Sequence, residues 1–166
     1  MLALGIRLRH ELIILGWPVA VEMTRDMDVT ASLSERGCLT DKWQSDVILH
    51  LHVNASPVPR AFGAEVYYWP GNERGHEISQ TIINAVPARL RFGRMTKPAV
   101  EPQSAEDEYL GRVRNVMEPH AGTSCLVEVG YASNVQNLDA LLSLDVQRQI
   151  IVMLLAGVAR AIELYR

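Results

Sequence analysis

Asp46-Val47-Ile48-Leu49-His50-Leu51-His52-Val53-Asn54-Ala55 is an apolar run that carries two imidazoles and ends in a polar turn. Apolar residues of this type and number, bounded by turn-forming residues, predict a β-strand over Asp46 to Val53. Strand side chains alternate between faces, so His50 and His52 project together while Leu49, Leu51 and Val53 cover the other side. Two neutral imidazoles at a strand end suit a divalent zinc ion, and a structural histidine pair is the alternative.

Working outward, the flanking segments alternate strand and helix. Upstream, Ser32 to Trp43 predicts a helix with Ser34 and Glu35 near its start, and Thr24-Arg25-Asp26-Met27-Asp28 a polar loop. Val19 to Met23 predicts a short strand. Met1, Leu4, Leu8, Leu12 and Leu15 recur at helical spacing, giving an amphipathic helix over residues 1–15 that Gly16 and Pro18 stop. That helix begins in mid-pattern, with no Ser, Thr, Asp or Asn to cap it.

Downstream, Gly63 to Trp69 predicts a strand and Glu73 to Leu90 a helix that Pro87 can break early. Residues 93–108, with Pro98, Pro102 and Glu106-Asp107-Glu108, predict a long loop, either over a site or simply solvated. Ser124 to Val129 predicts a further strand. Asp145 to Tyr165 carries a stripe of Val146, Ile150, Met153, Leu154, Val158, Ile162 and Leu164, the clearest helix of the chain. The expected architecture is a single α/β domain, a largely parallel twisted sheet flanked by helices.

Composition narrows the function classes. A chain of 166 residues with 48% hydrophobic content can bury a core and is not disordered. A net charge of -3 gives no electrostatic footprint for nucleic acid or an anionic membrane. No window approaches a membrane span, no export signal is visible, and a monomer is expected. Two cysteines, Cys38 and Cys125, are too few for a disulfide framework, and Cys125 reads as a buried thiol.

Ligands of open α/β sheets gather beyond the carboxyl ends of the strands. Two such ends carry chemistry here, His50/His52 and Glu128. Glu128 lies in Cys125-Leu126-Val127-Glu128-Val129-Gly130, an acid within an apolar strand. Burial disfavours the charged form of a carboxyl, which suits a general acid/base. A Glu that reaches water or pairs with an Arg is the competing reading. Arg112 and Arg114, spaced to share a strand face, could hold a carboxylate substrate. His10, His76 and His120 read as surface histidines; His120 is also a candidate third ligand beside His50 and His52. Phosphate loops, a Ser nucleophile elbow and Cys-x-x-Cys pairs are absent.

In order, several blocks resemble one family: Val21-Glu22-Met23-Thr24-Arg25-Asp26-Met27-Asp28-Val29, Leu33-Ser34-Glu35-Arg36, the His-x-Asn-Ala end of the quoted strand, Gly63-Ala64-Glu65-Val66-Tyr67-Tyr68, and Leu126-Val127-Glu128-Val129-Gly130-Tyr131-Ala132-Ser133-Asn134. They resemble the zinc-dependent N-acetylmuramoyl-L-alanine amidases of the Amidase_3 type, over nearly the whole chain. The resemblance implies a peptidoglycan hydrolase of the cell envelope (periplasmic or extracellular). It would cut the amide between N-acetylmuramic acid and the L-alanine of the stem peptide. It also implies a zinc cofactor held by two His and one Glu, with His52 as the second histidine ligand and Glu128 as the acid that activates water. Asn54 and Arg114 are the expected substrate contacts. His50 stands where the family more often has Ser. Family members begin with a strand and a Gly-His-Gly-Gly-type loop that give the first histidine, and the Glu ligand precedes the first helix. This chain starts at Met1 within that helix, so the expectation is an amidase domain incomplete at its N-terminus. A non-catalytic peptidoglycan-binding or regulatory relic of the same fold is the alternative.

Overall fold

The computed structural model describes residues 1–58, 60–91, 95–98 and 122–166. In chain order the elements are α1 (Leu2–Ile14), α2 (Leu33–Trp43), β1 (Val47–Asn54), β2 (Glu65–Tyr68), α3 (Glu73–Asn84), a 3-10 turn at Ala88–Leu90, β3 (Met95–Pro98), β4 (Thr123–Tyr131), α4 (Val135–Leu142) and α5 (Leu144–Leu164). The strands form one sheet in the order β1-β4-β2-β3. β1 pairs parallel with β4 and β2 parallel with β3, whereas β2 and β4 are antiparallel. The α/β expectation holds, with one antiparallel seam in the middle of the sheet.

The sheet's two faces differ in chemistry. Cys125, Val127 and Val129 of β4, Val66 of β2 and Leu49 and Leu51 of β1 join the core with Ile78 and Ile82 of α3 and Ile150, Met153 and Leu154 of α5. α1 adds Leu8 and Leu12 to the same core, but Leu15 is half exposed because the helix has already ended at Ile14. Gly16 at φ +63° supplies the left-handed turn that closes it. α3 and α5 approach closely at Gly157, where a Cβ would lie 2.4 Å from Cγ1 of Ile82. Buried Cys125 contacts Ser79 and the Gly75 carbonyl, and burial pushes its thiol up to about 11, an inert packing residue.

Several boundaries differ from the sequence expectation. Val19 to Met23 is not a strand: Val19 and Val21 pack on the core without entering a ladder. The helix over Glu73 to Leu90 stops at Asn84, since Val86 precedes Pro87 and that position disfavours helical backbone; Ala88–Leu90 is a separate turn. Met95–Pro98, expected within a loop, adds a parallel strand beside β2, with Pro98 at its end on the sheet edge, where a missing N–H is tolerated. α4 was not expected; Asn134 caps it by accepting from the Asn137 N–H. α2 begins one residue later than expected, with Ser32 and Glu35 forming a capping box. No single described helix is long and apolar enough to cross a membrane.

Candidate functional site

β1 and β4 end side by side. In their parallel register His52 pairs with Glu128, and across the antiparallel seam Glu128 pairs with Glu65. Residues in register on neighbouring strands share a face, about 4.8 Å apart. His52, Glu128 and Glu65 therefore form one polar row across three strands, on the side opposite the α3/α5 core. His50 shares that face, and its Nε2 lies 2.9 Å from Ser124 Oγ.

The row is largely withdrawn from water. Glu128 is 3% exposed and Glu65 7% exposed, and Leu126 and Tyr67 beside them are also buried. Glu65 collects hydrogen bonds: Tyr67 Oη donates to its Oε2 at 2.8 Å, and Asn54 Nδ2 lies 3.5 Å away. The Tyr131 hydroxyl also bonds Glu65 and sits in the field of Glu128; burial first and Glu65 second push it up to about 12. Asn54, expected to meet substrate, is buried, and its Oδ1 accepts from the Ala55 N–H.

How Tyr131 reaches Glu65 follows from the ladder. Two steps along β1, from His52 to Asn54, match three along β4, from Glu128 to Tyr131. That extra residue is a bulge, and it reverses the alternation beyond it. Without it Tyr131 would face the α3/α5 core; with it the phenol joins the polar row. Asn137 anchors this end: wholly buried, its Oδ1 accepts from the N–H groups of Tyr131 (2.9 Å) and Gly63 (3.0 Å). Gly63 has φ +103°, a conformation a side chain would resist.

On its other side β1 has no neighbour strand among the described residues. A groove of about 780 Å³ follows that edge, bounded by α1, α2, residues 18–25 and the end of α5. Val47, Leu49, Leu51, Val19 and Val21 give it apolar walls, and His50, His52 and Arg36 line it too. Burial, and secondarily the charge of Arg36, hold the His52 imidazole below its ordinary range and so favour the neutral form.

A neutral imidazole is the form that binds zinc. The donor set around it is short, however: among the described residues no group of three or more His, Cys, Asp or Glu side chains is placed to hold a metal ion. The described residues do not by themselves make a zinc cage. His120, Arg112 and Arg114 lie outside the described residues.

The sequence expectation brought together two of these residues correctly in space, His52 and Glu128. It missed Glu65, Tyr67, Tyr131, Arg36 and Asn137. Glu65 could have been found by the argument used for Glu128, an acid within an apolar strand; Tyr131 could not, because nothing in the sequence announces the bulge.

Solved structures share this architecture. The catalytic domain of CwlV, an N-acetylmuramoyl-L-alanine amidase from Bacillus (Paenibacillus) polymyxa var. colistinus, superposes with a TM-score of 0.78 at 18% identity, over 98% of this chain and 82% of that one. The amidase AmiC2 of Nostoc punctiforme gives 0.75 at 22% identity, over 98% and 83%. The CwlD amidase of Clostridioides difficile, solved with the GerS lipoprotein, gives 0.76 at 19% identity, over 98% and 85%. Identities this low speak for the fold alone. No curated protein matches. The family match is at the level of sequence: the N-acetylmuramoyl-L-alanine amidase family, Amidase_3, covers residues 1–160. With nearly its whole length matched, this chain belongs to the Amidase_3 family of N-acetylmuramoyl-L-alanine amidases.

Proposed function

We propose that this chain is a peptidoglycan amidase of the cell envelope that hydrolyses the amide between N-acetylmuramic acid and the L-alanine of the stem peptide, with Glu128 as proton carrier and His52 beside it. The observation that carries this reading is the register of His52 with Glu128 at the joint carboxyl end of β1 and β4. Water adds to the lactyl carbonyl carbon and the C–N bond breaks. Glu128 takes the water's proton and returns it to the departing alanine nitrogen. Leu126 and Tyr67, both buried, keep the surroundings of that carboxyl poor in water, where charge interactions are stronger. Zinc dependence is part of the proposal, although the described donors do not complete a site.

The test is incubation of the purified chain with peptidoglycan sacculi, counting newly exposed alanine amines, with metal content measured on the same preparation and chelator added to half. Glu128→Gln should lower release by roughly 10²-fold or more while sedimentation with sacculi is unchanged. Binding to sacculi with no amine release, indifferent to Glu128→Gln, would overturn catalysis and leave the non-catalytic wall-binding alternative.

A further inference from the structure

The groove along β1 is basic in an acidic protein. Arg9, Arg25, Arg36 and Arg166 line it against only Glu22 and Asp46, whereas the whole chain carries a net charge of -3. Arg25 is already engaged by Asp28 and the Val29 carbonyl. Arg36 is half-buried; among the described residues it has no acidic partner and one hydrogen bond, from Nε to the Ala31 carbonyl at 3.0 Å. That tether folds the side chain back over the start of α2, where the capping box fixes the backbone. It leaves Nη1 and Nη2 as a pre-set fork, the geometry that grips a carboxylate with two parallel hydrogen bonds. A partly desolvated guanidinium without a counter-charge is costly unless something supplies one. Its charge is also felt at His52, so the fork lies within electrostatic reach of the catalytic row.

We infer that Arg36 is a substrate-recognition residue that takes a free carboxylate of the peptide whose amide is cut beside His52 and Glu128. This rests on the proposed function and adds a specificity to it: an acidic stem peptide is preferred over the same peptide with that carboxylate amidated.

The probes are N-acetylmuramoyl-L-alanyl-D-glutamate and its D-isoglutamine counterpart, titrated calorimetrically into the purified chain, beside a sacculus-sedimentation assay. The acid form should bind roughly tenfold more tightly than the amide, with the difference shrinking as salt is raised. Arg36→Gln should bind both forms alike, at the wild-type affinity for the amide. Should that variant fold poorly, Arg36→Lys keeps the charge without the fork and should lose most of the preference. Equal affinities in the wild type, a preference that survives Arg36→Gln, or sacculus binding with no dipeptide binding would each overturn the inference alone. Failure to bind dipeptides and sacculi together would remove the proposed function and the inference with it.

Discussion

Asn137→Ala tests whether the end of the polar row is held as described. The side chain is wholly buried, and its Oδ1 takes the N–H groups of both Gly63 and Tyr131. Truncation leaves two buried donors unpaired, at roughly 1–3 kcal/mol each. It also removes Nδ2, which has no acceptor among the described residues, and that offsets part of the loss. The net expectation is a destabilisation of about 3 kcal/mol. For a domain of this size that lowers Tm by about 6–12 °C, and with a urea slope near 2 kcal/mol/M it moves the midpoint by about 1.5 M. Urea denaturation followed by circular dichroism measures it directly. Asn137→Asp keeps both N–H bonds and discards the idle amide hydrogens, so it should lose clearly less than the alanine variant. A midpoint shift below about 0.5 M for Asn137→Ala, or equal losses in the two variants, would refute the claim that this one oxygen ties β2 to β4.

Two further outcomes follow from the packing and the ionisable groups. Tyr131 is pushed up to about 12 in the folded protein, above the value near 10 of an unfolded tyrosine, so its stabilising contribution is complete below pH 10 and is lost as pH rises from 10 toward 12. Urea midpoints at pH 9 and pH 11 should therefore fall more steeply in the wild type than in Tyr131→Phe, and parallel curves would contradict the burial of that hydroxyl against Glu65. Gly157→Ala places a methyl 2.4 Å from Cγ1 of fully buried Ile82, which should cost about 1–3 kcal/mol; Ile82→Val in the same chain should recover part of it, and a neutral Gly157→Ala would show that α3 and α5 pack less tightly than described.

Much of this architecture was legible because burial writes a regular pattern. β1 and β4 are largely apolar runs into which His50, His52 and Glu128 intrude, and α5 keeps its apolar stripe over its whole 21-residue length. His52 and Glu128 stood out for that reason, as polar exceptions where the core demanded none. Other features depend on partners distant in sequence. Glu65 reads as one more residue of a short strand until the antiparallel seam sets it against Glu128. β3 hid behind Pro98, which signals a break and is tolerated only because the strand lies at an edge. α4 escaped because it is only eight residues long and turns just Asn137, Ala140 and Leu141 toward the core, leaving Val135, Leu138 and Leu142 exposed. The false strand at Val19 to Met23 had the right alternation but no ladder to join.

The bulge in β4 couples the number of residues to the direction of the side chains at this strand end. If β4 paired without the bulge at its present length, strict alternation would turn the phenol toward Ile78 and Leu154 and withdraw a donor from Glu65. A residue deleted between Glu128 and Tyr131 would instead remove the bulge and leave the ring two steps from Glu128, on the same face. Among homologous or engineered variants, a one-residue change in the spacing between the carboxylate and the aromatic ring and the loss of the bulge should therefore occur together.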